Sequence, residues 1–130
     1  MPSLVGVWKL VAARAFDEAG REVPSPLGPH PMGVAIIDAE RMMAMASDGR
    51  TELPPETKRA FAAYCGQYTF DGTKLVTRVD GASSPDMMED QVRHIRFEGA
   101  RRMIVVPASR LFDRGSGLEL VWDRQSPDLP

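Results

Sequence analysis

Apolar and polar positions alternate along Leu4-Val5-Gly6-Val7-Trp8-Lys9-Leu10-Val11-Ala12-Ala13, and β-branched residues are frequent there. A period of two with that content predicts a strand. One face carries Leu4, Gly6, Trp8, Leu10 and Ala12; the other carries Val5, Val7, Lys9 and Val11. Lys9 marks the second face as the outer one. The strand is expected to continue to Phe16 and to turn at Asp17-Glu18-Ala19-Gly20. Residues Pro24 to Gly33 hold four prolines and two glycines. Proline lacks the backbone donor that a helix or a central strand needs, so an ordered loop or lid is expected here. Gly33 to Asp38 reads as a strand, with a tight turn near Ala39-Glu40. Arg41 to Ser47 reads as its partner. Met42, Met43, Ala44 and Met45 favour helix by propensity, but the turn spacing suits a hairpin.

Leu53 to Ala63 carries the one helical pattern, with the helix over Pro55–Ala63. Proline stands at its start and an acidic residue in its first turn. Phe61 and Tyr64 are assigned to its buried side. So short a helix must lean on a neighbour to persist. Strands follow at Tyr64–Phe70 and Lys74–Asp80, joined at Asp71-Gly72, a hairpin signal. Gly81 to Glu89 reads as a loop. Asp90–Glu98 and Arg101–Ser109 pair across Gly99-Ala100. A turn at Asp113–Gly117 precedes the last strand, Leu118–Arg124, and the tail from Gln125 to Pro130 is expected to fray. Eight short, evenly spaced strands with three hairpin-like pairs and one helix predict an all-β, antiparallel barrel or sandwich.

At 130 residues the chain is expected to form one domain, residues 1–130, able to bury one core or one modest cavity. The formal charge is −2, and the arginines are scattered apart from Arg101-Arg102. No basic stripe suits a nucleic-acid backbone, so a nucleic-acid partner is not expected. No apolar run approaches the ~20 residues that cross a bilayer, and no leader pattern precedes the first strand. The single cysteine, Cys65, has no partner for an internal disulfide. A soluble protein of a reducing compartment, the cytoplasm, is therefore expected.

The chain resembles the lipocalin-like domain family, small bacterial and fungal relatives of the calycin barrels. The residues that carry the resemblance span nearly the whole chain. They are Leu4-Val5-Gly6-Val7-Trp8-Lys9-Leu10, Pro26-Leu27-Gly28, Pro31-Met32-Gly33, Arg41-Met42, Ala63-Tyr64-Cys65-Gly66-Gln67-Tyr68, Gln91-Val92-Arg93 and Trp122-Asp123-Arg124. Each is short; their order and spacing make the match specific. The resemblance implies a roughly eight-stranded barrel with an internal site, closed at one end by Trp8 with Arg124 across its ring. It implies no single activity. The Thr-Asp-Tyr motif of secreted lipocalins is missing. Ile37 and Thr77 stand where relatives often carry tyrosine and histidine, which makes the expected interior more apolar.

Alternation places Tyr64, Gly66, Tyr68 and Phe70 on one face. The two phenols could line a cavity, or could be core aromatics with hydroxyls bonded to backbone; the two readings stand level. Gln91 and Arg93 share a face with Ile95 and Phe97, leaving Val92, His94 and Arg96 outside. An inward arginine needs a partner. It either reads a ligand carboxylate or carbonyl, or, slightly more commonly, pairs with an acid such as Glu89 or Asp90. Methionine is abundant, and Met42 and Met103 are the best lumen candidates, although core filling is the commoner role of any single methionine. The expected lining is Met42, Tyr64, Tyr68, Thr77, Gln91, Arg93 and Met103. His30, His94 and Cys65 lack metal-site spacing, and Cys65 falls opposite Tyr64 and Tyr68, away from the lumen. No cofactor fingerprint or nucleophile triad is present, so no cofactor or metal is expected.

Three functions fit these observations. The first is a barrel binding a small, mostly apolar molecule. The second is a metal-free isomerase or cyclase using Tyr64, Tyr68 and Arg93. The third is a filled barrel with a structural or interaction role, for which a homodimer contact would be the sign.

Overall fold

A computed structural model describes residues 2–125. Nine strands follow in order: β1 (Gly6–Phe16), β2 (Glu22–Val23), β3 (Pro31–Ile37), β4 (Arg41–Asp48), β5 (Phe61–Phe70), β6 (Lys74–Ala82), β7 (Gln91–Glu98), β8 (Arg102–Pro107) and β9 (Leu118–Arg124). All pairings are antiparallel. Each strand from β3 to β9 pairs with the next, and β1 pairs with both β3 and β9. That last pairing closes an eight-stranded barrel, with β2 appended beside the far end of β1. The all-β, antiparallel, eight-stranded expectation is met. The tail expected to fray lies, from residue 126 on, outside the described residues.

The expected helix at Pro55–Ala63 does not form. The stretch 49–60 is an exposed connection, and β5 begins at Phe61. Glu56 sits at φ 63°, a left-handed conformation that breaks any helical run. Phe61 is 51% exposed rather than on a buried side. Strand pairing wins: Ala62 and Ala46 are partners, as are Tyr64 and Ala44, and all four face inward. Among the described residues the only helix is one 3-10 turn, Pro85–Met87.

Three smaller differences have local causes. Pro31, expected in the loop, opens β3, a position where its missing donor is tolerated. Gly81 and Ala82, expected in a loop, prolong β6. In β1 a bulge lies between Leu10, which pairs with Trp122, and Ala12, which pairs with Val121. The bulge reverses the alternation, so Ala12 turns outward and Ala15 is fully buried. A second irregularity lies in β6: Cys65 pairs with Gly81 and Gly66 with Val79, which leaves Asp80 as the extra residue. Glycine is required opposite it: a Cβ on Gly66 would lie 2.0 Å from the Arg78 carbonyl oxygen.

The inner faces supply one core, including Trp8, Leu10, Ile37, Leu75, Ile95, Met103, Leu120 and Trp122. At one end β1 starts, β9 finishes, and the short turns between β3 and β4, β5 and β6, and β7 and β8 gather. Trp8 is fully buried there, and its indole N–H donates to the Leu4 carbonyl at 2.8 Å. The Arg124 guanidinium lies 4.2 Å from the Trp8 ring centroid. It donates to the carbonyls of Ala100 at 3.0 Å, Val5 at 2.6 Å and Ser3. Burial lowers its pKa from the ordinary arginine value, with nearby Arg101 acting in the same direction. Trp8 and Arg124 thus lie together at this end of the barrel.

The opposite end carries the long connections. Leu27, on the loop after β2, is fully buried in the core. Gly28 follows it at φ 72°, and a Cβ there would meet Asp48 and Arg50 at 2.9 Å. Asp48, almost wholly buried, pairs with Arg50 at 2.6 Å. Arg59 donates to the Asp48 and Arg50 carbonyls, tying the 49–60 connection back onto β4.

Closure gives the first prediction. Trp8→Ala should destabilise by ~3–5 kcal/mol, as large aromatic deletions in cores do. A double-mutant cycle with Arg124→Met, read by denaturant unfolding, should return a coupling of about 1 kcal/mol; additive losses would show that the stack contributes nothing.

Asp48 gives the second. Its bond to Arg50 holds the carboxyl below its ordinary pKa, opposed in part by burial. A depressed folded pKa stabilises fully above the unfolded value, near 3.9, and the gain is lost as pH falls through the folded one. Wild-type stability should therefore fall below about pH 4, and Asp48→Asn should show a shallower fall. Parallel acid limbs in unfolding series from pH 7 to pH 3 would refute this.

Candidate functional site

The inward faces enclose a cavity of about 50 Å³ lined by residues of β3 to β9. Ile37, Met42, Leu75, Ile95, Met103 and Trp122 form its apolar wall, and Tyr64 and Arg93 bring polar groups. Above it, at the end with the long connections, lies an open vestibule of about 670 Å³. Leu111 and Phe112, between β8 and β9, line both spaces, as does Ala62. The segment is tightly turned: Leu111 and Arg114 exchange backbone bonds, and Phe112 and Asp113 sit at φ 52° and 61°. Both are left-handed positions unusual for residues other than glycine. The vestibule rim mixes Lys58, Arg59 and Arg110 with Asp86, Glu89, Asp90 and Asp113. Asp86, Glu89 and Asp90 come from the connection between β6 and β7 and its junction with β7.

Of the seven expected lining residues, four meet in the cavity: Met42, Tyr64, Arg93 and Met103. Three do not line it. Tyr68 shares a strand face with Tyr64 but lies at the closed end, beside Leu4 and Val5. Its hydroxyl donates to the Asp38 carbonyl at 2.6 Å. Burial raises its pKa above the ordinary phenol value, and the Asp38 charge adds to this. Thr77 is sealed in the packed wall, with its hydroxyl 3.0 Å from the Met42 sulfur. Gln91 lines the vestibule instead.

Arg93 is 2% exposed. Its Nη1 donates to Ser109 Oγ at 2.9 Å and to the Val92 carbonyl at 3.1 Å; Nη2 donates to Gln91 Oε1 at 3.1 Å. Its guanidinium carbon stands 5.4 Å from the Tyr64 ring centroid. The expected pairing with Glu89, Asp90 or another acid is absent: no carboxylate among the described residues lies in ion-pair range of it. Those carboxylates stand on the solvated rim. Gln91 in turn donates to the Met87 and Glu89 carbonyls, which fixes its oxygen toward Arg93.

Ser109 was not singled out from the sequence. Counting on in twos from Met103, Val105 and Pro107 puts it on the inner face, across from Gln91. Leu111 and Phe112 had no such signal, because they lie beyond the expected strand, Arg101–Ser109. Cys65 lies outside the barrel wall, with its sulfur 3.7 Å from Asp80 Oδ1, and His30 and His94 are exposed. Among the described residues no cluster of three His, Cys, Asp or Glu is placed to hold a metal ion. No described helix is long and apolar enough to cross a membrane.

The division between Tyr64 and Tyr68 is testable. Tyr68→Phe should lower stability by about 1 kcal/mol through the lost bond to Asp38. Neither it nor Cys65→Ser should shift the Met103 methyl resonance, which reports on the cavity; a shift in either variant would mean that the face or height assigned to β5 is wrong.

A family model described as a lipocalin-like domain matches residues 5–125. No curated protein matches the chain.

Proposed function

The chain belongs to the lipocalin-like domain family, and from that premise we propose that its barrel binds a small, mostly apolar molecule in the interior. The observation that supports this best is the apolar cavity beneath an open vestibule, with Tyr64 and Arg93 in the cavity wall and Arg93 bonded to Gln91 and Ser109, which line the vestibule. Apolar walls with a few placed polar groups are the usual make-up of a small-molecule site. The unfilled space is small, so the bound part of a ligand is small, or the methionines move. Methionine has the rotamer freedom for this, and Met42 and Met103 both line the cavity. The enzymatic reading loses one of its three residues, since Tyr68 stands at the closed end. The single thiol suits a reducing compartment, and the cytoplasm is the location we favour.

A second reading draws on the small cavity volume together with the outer face of the sheet. Val34, Ile36 and Met43 are each more than two-fifths exposed on adjoining strands. A barrel filled by its own side chains, associating with a second copy through this apolar outer patch, would use both features.

Methyl resonances separate the two readings. Cyclohexanone or benzene titrated into the protein should shift the Met42 and Met103 methyls and leave those of the exposed Met32, Met43 and Met88 in place. Unmoved cavity methyls, with a dimer in sedimentation, would replace the first reading with the second.

A further inference from the structure

We propose that the ligand carries an anionic carboxylate head, gripped by Arg93 at the neck between cavity and vestibule, and is a short-chain carboxylic acid; this rests on the binding reading above. A buried guanidinium with no carboxylate among the described residues in ion-pair range is unfavourable by itself, because it has lost hydration without gaining a counter-charge. The face of Tyr64 compensates only in part.

The bonds that hold Arg93 do not need it. Gln91 Oε1 also accepts from Ser109 Oγ at 3.2 Å, the Val92 carbonyl also accepts from the Ala108 N–H at 2.9 Å, and Ser109 Oγ also accepts from the Val92 N–H at 3.3 Å. Removing the guanidinium leaves each of these groups a partner. Arg124 differs: it too has no carboxylate among the described residues in range, but it stacks on Trp8 and its three nitrogens donate to carbonyls of two segments, Ser3 and Val5 before β1 and Ala100 before β8, which gives it a structural purpose.

The guanidinium has free donors in a useful place. Arginine carries five N–H groups, and three of those on Arg93 are engaged on Nη1 and Nη2. The Nε–H and one Nη2–H remain. Nε has no partner among the described residues, yet it is not sealed, since Arg114 Nε is the one sealed and unpaired side-chain nitrogen or oxygen among them. Nε and Nη2 share the edge of the guanidinium that a carboxylate grips with two parallel bonds. Low polarity around the site strengthens such a pair. The ligand's chain would then enter the apolar cavity. About 50 Å³ admits only a few water-sized groups at roughly 10–15 Å³ each, which suits a short or branched chain.

The test compares isovalerate, hexanoate and octanoate with their primary amides, which keep the shape and lose the charge. Binding is read by the Met103 methyl shift and by calorimetry in wild type, Arg93→Met and Arg93→Lys. Wild type should prefer each acid over its amide by about tenfold or more. Arg93→Met should erase that preference while keeping affinity for the amides, and its melting temperature should not fall below wild type. Arg93→Lys should keep a weaker preference, having the charge without the paired geometry. Equal binding of acid and amide by wild type would overturn the carboxylate proposal and leave the binding reading intact. No binding of either, with cyclohexanone and benzene also excluded, would overturn both. A lower melting temperature in Arg93→Met with no preference in wild type would assign Arg93 to the scaffold.

Discussion

The contact between the Arg124 guanidinium and the Trp8 indole ties the last strand to the first, and the barrel depends on that closure. An open sheet of eight strands would leave two edges unpaired and one apolar face uncovered. Pairing β1 with β9 removes those edges and defines an inside. Trp8 fills the narrow end, and Arg124 spends its donors on carbonyls of residues 3, 5 and 100, segments that no ladder bond draws together. Every inward side chain between them then counts as core because the end is shut.

Closure at one end leaves the opposite end to carry the variation. The short turns gather around Trp8, whose side chain fills that end of the interior. The long connections converge at the mouth and are held by polar ties instead of a shared core: Gly28 against the Asp48–Arg50 pair, Arg59 on two carbonyls, Gln91 on the loop before β7. Leu27, Leu111 and Phe112 are the apolar exceptions: Leu27 is buried in the core, and Leu111 and Phe112 line both cavity and vestibule. The same sheet that buries one face leaves Val34, Ile36 and Met43 open on the other, so interior and exterior both keep apolar surface in reserve.

Alternation made much of this legible. It gave the inner faces of β5, β7 and β9 correctly, because each strand keeps its phase from end to end. It failed in β1 after Leu10, because a bulge is a pairing event between two strands and leaves no mark on either sequence alone. It misjudged residues 55–63 for a related reason. A proline followed by acidic and alanine-rich residues satisfies the local rules for a helix, while the register of Ala62 and Tyr64 on β4 is a long-range fact. Tyr68 shows a further limit. A shared face does not imply a shared site: four residues along a strand span roughly 13 Å, enough to carry a side chain from the lumen to the closed end. Ser109 was legible by continuing the phase of β8, and Phe112 was not, since loops carry no period.

What separates a filled barrel from a binding barrel is charge more than volume. A cavity of about 50 Å³ is ambiguous by size, because methionine walls can give or close. A buried cation is less ambiguous. A barrel that only has to fill itself does best with apolar groups at every inward position, and a hydrophobic replacement of a buried ion is commonly neutral or stabilising. Arg93 breaks that pattern next to the vestibule, and it is aimed by Gln91 and Ser109, which line that vestibule and keep a partner without it. Strain or unmet charge of this kind is tolerated where it serves a site. The reading that accounts for Arg93 is therefore one in which a partner for its charge arrives from outside, through the vestibule, and the cavity beyond accommodates whatever that partner carries behind it.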